Sequence, residues 1–277
     1  MCWVNIVRSQ QMPEVRLFIF DINQFPADDK IDNNESSYLR FSKSLERVDM
    51  YRNRGDRCRC LAGELMVSKY IGPGVIRNDP GITNRAIKPL IPDGFFFNIS
   101  HDNDFVLLGT CNNQSVGIDI MKVKQSNPNI PIPDMLSNLK GIFTDVEWTY
   151  ITSVRNPRDQ LTRFFELWTA KEAYVKCLGT GLYTEPQELS LEGMEKEVLS
   201  GWKNLSISQV GFMHRSDEFR ILVTTTVVPD HVIAVCVGAV ELCDDSWTRF
   251  IQRDSVCDPN ERVIIFPPIH VRLADLV

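Results

Sequence analysis

The sequence predicts an α+β fold arranged as two lobes, on three observations. Strand-like and helix-like stretches are mixed without the regular rhythm of a parallel βαβ chain. They fall into two blocks that divide near residue 118. The strand-like stretches are short and closely connected, as in small sheets built from neighbouring strands. The expected lobes are residues 1–117 and 118–277, the second ending in a tail after about 244 whose role the sequence does not give. No convincing internal repeat relates the two blocks.

In chain order, RLFIFDI (16–22) reads as a strand. Residues 36–50 and about 56–71 carry helical spacing, with Leu61, Leu65, Met66 and Tyr70 forming the apolar stripe of the second. A stretch dense in Gly, Pro, Asn and Asp (72–94) reads as turns. FFFNIS (95–100), DFVLLGTC (104–111) and SVGIDIM (115–121) follow as short strands. A Pro/Asn-rich separator (124–134) leads to a helical region, 144–178. Its long helix starts after Asn156-Pro157 and stops at Gly179, since proline suits a first helical position and glycine a left-handed end. LSLEG (189–193), LSISQVGFM (205–213), FRILVTTTVV (219–228) and HVIAVCVGAV (231–240) then read as strands.

The 277 residues suffice for a sizeable core, and 43% hydrophobic with 24% charged is ordinary for a globular chain. No apolar run approaches the roughly 20 residues of a membrane-spanning helix, and the first 15 residues lack the apolar stretch of a secretory signal. The 8 cysteines are scattered, without the C-x-x-C pairs of a zinc site. A formal charge of −6 argues against a general nucleic-acid binder. The expectation is a soluble, cytoplasmic, monomeric protein with no nucleic-acid or membrane partner.

The most informative stretch is FFELWTAKEAYVKCLG (164–179). At about 100° per residue, Leu161, Phe164, Phe165, Trp168 and Val175 share one arc of a helix. Glu172 falls in the middle of that arc and Lys176, one turn on, at its edge. An inward carboxylate needs its charge compensated, by a metal ion, a phosphate-bearing ligand or a salt bridge. In Gly117-Ile118-Asp119-Ile120-Met121, alternation puts Asp119 on the face opposite the two isoleucines. The glycine two residues earlier is read as room for a ligand; a hydrogen bond from Asp119 to a neighbouring loop is the competing reading. Asn98, Ser100 and His101 end an aromatic strand and offer donors to a phosphate. Arg85 and Lys88 lie in a proline-stiffened loop just upstream. Arg52, Arg54, Arg57 and Arg59 crowd together, either as a solvated helix entrance or as a phosphate anchor. Two hard oxygen ligands, Asp119 and Glu172, suit Mg²⁺ together with substrate phosphates. With several cations nearby, this set suits phosphoryl-type transfer.

GIDIMK (117–122) followed by WTAKEAYVK (168–176), with FNISH (97–101) and IKP (87–89) upstream in order, resembles the motif set of the surfactin-type 4′-phosphopantetheinyl transferases. The resemblance spans roughly residues 16–240. It implies two similar α+β lobes about a pseudo-twofold axis, with the active site in the cleft between them. It also implies transfer of the phosphopantetheine arm of coenzyme A to a serine of an acyl or peptidyl carrier protein, such as that of a fatty acid synthase. Adenosine 3′,5′-bisphosphate would be released. By the same resemblance Asp119 and Glu172 bind Mg²⁺, with Glu172 and Lys176 catalytic. Lys88, His101 and the loop from Thr83 through Asn84 and Arg85 hold coenzyme A phosphates, joined by Asn98, Ser100 and Lys176. Arg54 or Arg59 reaches the adenosine end. Met121 stands where many bacterial relatives carry a third acid; in this it resembles the animal cytosolic branch, the aminoadipate-semialdehyde dehydrogenase phosphopantetheinyl transferase type. A water would fill that metal position. The alternatives are a Mg²⁺-dependent phosphohydrolase or nucleotidyltransferase, and a non-catalytic coenzyme A-binding protein.

Overall fold

The structure, a computed structural model, describes residues 13–26, 47–72, 95–112, 114–179, 189–192, 197–199, 201–209, 219–238 and 264–276. Strand β1 (Glu14–Asp21) covers the predicted 16–22, except that Ile22 starts a short 3₁₀ turn capped by the Asp21 side chain. Helix α1 (Arg54–Tyr70) begins where Asn53 accepts from the Gly55 N–H, two residues before the predicted start. Of the predicted helix over 36–50, only residues 47–50 are described, and of the turn-rich 72–94 only Gly72. Strands β2 (Phe95–Asp102), β3 (Phe105–Asn112) and β4 (Ser115–Lys122) lie where the sequence places them.

The separator ends in a short helix, α2 (Ile132–Ser137). Helix α3 (Asp145–Thr152) starts at a reciprocal cap: Thr144 accepts from the Glu147 N–H while the Glu147 carboxylate accepts from the Thr144 N–H. Helix α4 (Pro157–Leu178) has the predicted ends, with Asn156 accepting from the Arg158 N–H and Gly179 left-handed at φ 65°. Strands β5 (Ser190–Glu192), β6 (Glu197–Leu199), β7 (Trp202–Gln209), β8 (Phe219–Thr224) and β9 (His231–Gly238) follow.

The tail supplies β10 (Ile264–Ile265), β11 (Ile269–Val271) and the short helix α5 (Leu273–Leu276). Both tail strands pair parallel with β1. The Gln24 side chain fastens them, donating to the Val271 carbonyl and accepting from the Leu273 N–H.

Two sheets result. One runs β10-β1-β3-β2, with β11 also on β1; the other runs β4-β9-β8-β7-β5, with β6 on β7. Apart from the tail, every pairing is antiparallel. The molecule is thus mixed helix and sheet, in keeping with the α+β expectation. No helix among the described residues is long and apolar enough to cross a membrane.

Strand alternation sorts the core into layers. Phe18 and Phe20 of β1 pack with Leu61, Leu65 and Met66 of α1. Leu17 and Ile19 face the other way and meet Ile118 and Ile120 of β4 and Val235 of β9, so the two sheets share a core. On the far side of the second sheet, Ala234 and Cys236 of β9 pack with Leu167, Ala170 and Tyr174 of α4. The order is helix, sheet, sheet, helix.

Two sequence expectations change here. Gly117 is not room for a ligand: a Cβ there would lie 2.0 Å from the Ala173 carbonyl and 2.2 Å from the Cys177 N. The glycine lets α4 press its backbone onto β4, helped by the small Ala170 and Ala173. Nor is Glu172 central in the buried stripe of α4. The deeply buried face runs through Leu167, Ala170, Ala173, Tyr174 and Cys177, while Phe165, Trp168, Glu172 and Val175 lie half-buried on its flank. The aromatics misplaced the stripe, because the helix face against β4 must be small rather than bulky.

Because the atoms crowding Gly117 are backbone, they cannot swing away. The Gly117→Ala variant should lose about 3 kcal/mol of stability from overpacking. Gly141→Ala, whose Cβ meets nothing within 4 Å, should leave stability nearly unchanged. Urea unfolding of the two variants checks this; equal midpoints would show that β4 and α4 separate easily.

Candidate functional site

β2 forms one edge of the first sheet and β4 one edge of the second. α4 lies across the outer face of β4 at Gly117. Residues two apart on β4 share a face, so Asp119 also points toward α4. One turn of α4 brings Glu172 and Lys176 to the same place. Asp119 is buried, while Glu172 and Lys176 are half-buried.

Three groups close a ring around one carboxylate oxygen. Lys176 Nζ donates to Asp119 Oδ1 at 2.5 Å and to Ser100 Oγ at 2.9 Å, and Ser100 Oγ donates to Asp119 Oδ1 at 2.8 Å. The charge-assisted bonds hold the lysine head on the acid. Burial pushes the Glu172 carboxyl above its ordinary range, the charge of Asp119 adds to that, and Lys176 opposes it. Asp119 and Glu172 therefore repel each other with a single lysine between them. A divalent cation would relieve that repulsion, and the donors are hard oxygens, so the residues present fit Mg²⁺. Among the described residues no group of three His, Cys, Asp or Glu is placed to hold a metal, so further ligands would be water or substrate oxygens.

The upstream motif divides between the two sides of β2. Asn98 and Ser100 turn toward β4: Asn98 Oδ1 accepts from the Ile118 N–H at 3.0 Å. His101 turns the other way, and the residue is exposed. Desolvation lowers its pKa, and the positive charges of Arg59 and Lys176 lower it further against Asp56 and Asp102. The three side chains grouped by sequence as phosphate donors thus do not form one cluster. Nor are the oxygen of Asn98 and the proton of Ser100 free, since both are committed to β4.

The arginines also separate. Arg59 donates to the Asn103 carbonyl at 2.6 Å and pairs with Asp56 at 2.5 Å, on the side of β2 where His101 stands. Arg54 donates to the Pro26 carbonyl at 2.6 Å. Of these two, Arg59 is tied to the turn that follows β2. Thr83, Asn84, Arg85 and Lys88 lie outside the described residues.

Two residues escaped the sequence reading. Asp102 ends β2 and accepts from the Lys122 N–H at 2.6 Å; its place in the same alternating row as Asn98 and Ser100 was the available signal. Lys171, adjacent to Glu172, is structural. It forms a buried pair with Glu147 at 2.9 Å and also donates to the Leu189 carbonyl. Removing one member of such a pair costs about 3–5 kcal/mol.

The comparisons agree with the motifs. Residues 115–236 match the family model of the 4′-phosphopantetheinyl transferase superfamily. Over 149 residues the chain is 32% identical to a phosphopantetheinyl transferase of a Thraustochytrium species, covering 50% of this chain and 51% of that one. It is 30% identical over 159 residues to the L-aminoadipate-semialdehyde dehydrogenase-phosphopantetheinyl transferase of Homo sapiens, covering 53% and 50%. It is 31% identical over 160 residues to the 4′-phosphopantetheinyl transferase gsp of Aneurinibacillus migulanus, covering 56% and 63%. The chain spans about half the length of the first of these curated relatives and of the human one. The resemblance carried by the motifs is thereby shown, with the family match lying on the segment that holds Asp119, Glu172 and Lys176.

His101 gives a pH test. Its folded pKa lies below the ordinary 6.5, so between those values the unfolded chain binds more protons. Its contribution is therefore whole above pH 6.5 and is lost as pH falls through the folded pKa. Thermal unfolding between about pH 7.5 and pH 5 should show wild type losing stability faster than His101→Gln over the acidic part of that range. Parallel curves would show that the imidazole titrates alike in both states.

Proposed function

We propose, taking this kinship as the premise, that the protein transfers the 4′-phosphopantetheine arm of coenzyme A to a serine of an acyl or peptidyl carrier protein. It would thus act as a holo-[acyl-carrier-protein] synthase. The observation that carries the reading is the ring of Ser100, Asp119 and Lys176 with Glu172 beside it. This puts two acids and a lysine at one point, as transfer at a diphosphate requires. The two sheets, each with an outer helix, are read as the cores of two related lobes (1–117 and 118–277), with β4 straddling the boundary, the tail of the second crossing to the first sheet, and coenzyme A in the cleft between them.

In this reading Asp119 and Glu172 hold Mg²⁺, which would supply Lewis-acid polarisation of the diphosphate oxygens. The carrier serine Oγ attacks the β-phosphorus of coenzyme A. The bond from that phosphorus to the adenosine-side phosphate oxygen breaks as the Oγ–P bond forms. Glu172 takes the serine proton, directly or through a water. Adenosine 3′,5′-bisphosphate leaves, and Lys176 balances the charge gathering on it. Arg59 and His101, on the other side of β2, are assigned to its phosphates, and with them the loop containing Thr83, Asn84, Arg85 and Lys88.

The same reading takes the protein as a cytoplasmic monomer, its cysteines scattered rather than clustered.

Mass spectrometry of an apo carrier incubated with coenzyme A and Mg²⁺ tests the reading. The carrier should gain about 340 Da, the transferred arm. Glu172→Gln should abolish the gain with the fold intact, and Lys176→Ala should slow it severely with a modest loss of coenzyme A affinity. Unmodified carrier across a panel of apo carriers, with nucleotide hydrolysed instead, would replace the reading with a phosphohydrolase.

A further inference from the structure

Where the edge strands of two packed sheets run side by side they ordinarily pair or keep apart, since an edge strand carries a row of N–H and C=O groups in need of partners. The edges β2 and β4 do neither. They are bridged by side chains. Asn98 Oδ1 accepts from the Ile118 N–H at 3.0 Å, and Asp102 Oδ2 accepts from the Lys122 N–H at 2.6 Å. Both bonds span a sequence offset of 20, so the rungs advance together along the two strands, as in a parallel ladder. The amides reached are four residues apart, twice the period with which alternate N–H groups face one edge. The middle residue of the row, Ser100, instead reaches Asp119 and Lys176.

We infer that Asn98 and Asp102 are positioning residues for the proposed transfer. They form a side-chain ladder that replaces backbone pairing between the two sheets and fixes Ser100 against Asp119 and Lys176. This rests on the function proposed above; the ladder itself rests on the geometry alone.

A direct β2–β4 ladder would bring the strands to the roughly 4.8 Å spacing of a continuous sheet. Here side chains take the place of backbone pairing while register is kept, and the ring of Ser100, Asp119 and Lys176 lies between the two rungs. The two rungs bracket it, one on each side of Ser100. With either rung lost, a single side-chain-to-backbone bond would tie this edge of β2 to β4, and Ser100 would be held less firmly.

Asp102 has a further task. Its other oxygen, Oδ1, accepts from the Asn103 N–H at 3.0 Å, where the turn to β3 takes a left-handed backbone (φ 44°). Arg59 holds the carbonyl of the same Asn103. One carboxylate therefore ties β4 to the turn that anchors Arg59. It couples the side of β2 carrying Arg59 and His101 to the side carrying Asp119. A carboxylate suits this position because it accepts on both oxygens, whereas an amide has one acceptor oxygen.

Amide hydrogen exchange, with transfer kinetics, tests the ladder on the full chain. In Asp102→Ala the Lys122 amide should exchange about tenfold faster or more, as for a lost bond to a charged acceptor. The Val235 amide in the centre of the second sheet should keep its protection, which separates this effect from unfolding. Asp102→Asn retains an oxygen for Lys122 and should restore most of that protection. Asn98→Asp, which also keeps its acceptor, should preserve protection at Ile118, where Asn98→Ala loses it. With coenzyme A and apo carrier, Asp102→Ala should lower kcat about tenfold and leave the KM for coenzyme A within about twofold, with recovery in Asp102→Asn.

Unchanged exchange at Lys122 in Asp102→Ala would overturn the ladder. Faster exchange with unchanged kcat would overturn the positioning role. If wild type modifies no carrier, the proposed function falls, and the exchange rates alone then decide the ladder.

Discussion

The close approach of α4 to β4 at Gly117 is the constraint from which the site follows. With no side chain at that position, the backbone of Ala173 and Cys177 comes within contact of the strand. Ser115 strengthens the contact by donating to the Cys177 carbonyl at 2.7 Å. Once the two backbones are fixed, geometry leaves little choice. Asp119 is two residues along the strand on the same face, and Lys176 immediately precedes Cys177 on the helix. Their 2.5 Å contact is the outcome of packing two small surfaces together. Gly109 plays a similar part between the sheets, where a Cβ would lie 2.6 Å from Ile118 Cγ2. β4 is thus held closely on both faces, which suits a strand that presents the acid of the proposed site.

The charged residues of α4 divide by what compensates them. Glu166 is buried and satisfied by Lys203 at 2.8 Å and the Tyr150 hydroxyl at 3.1 Å. Lys171 is buried against Glu147, whose oxygens also receive the Leu191 N–H and complete the cap of α3. These pairs fasten α3, β5 and β7 to the helix. Glu172 stands differently: its surroundings favour the neutral form, through burial first and the neighbouring acid second. A perturbed acid beside a second acid and a lysine is what the proposed function calls on, where Glu166 and Lys171 serve as fasteners. Lys171 and Glu172 are adjacent in sequence yet belong to different systems, because successive helical residues point about 100° apart.

Much of the fold was legible because its signals are local. Asn156-Pro157 and Gly179 mark the ends of α4, and the alternating runs of β1 to β4 are bounded by turn residues. The three chemical groups of α4 and β4 were legible from their spacing. What stayed hidden depends on distant partners. Two or three residues of β10 and β11 carry no pattern of their own and gain their identity only by pairing with β1 at the opposite end of the chain. Gly117 looked like open space because a sequence does not show the helix that fills it. The buried stripe of α4 was misread because small residues lack the hydrophobic weight of Phe and Trp, although close packing demands smallness. Lys171 drew no reading from the sequence, because its partner Glu147 lies on another helix.

The choice of lysine at position 176 follows from the same geometry. Its ammonium is partly open, with about 29% of the side chain exposed, and it rests on a flexible four-carbon stem. It neutralises Asp119 where it stands. Under the proposed function it must also meet an anionic phosphate. An arginine, with a planar fork matched to one carboxylate, would be harder to turn from acid to phosphate. A lysine can redirect its three donors with small torsional changes and without moving α4, whose backbone is pinned at Gly117. The rigid contact and the adjustable side chain are therefore complementary: the helix fixes where the charge originates, and the stem lets the charge follow its partner.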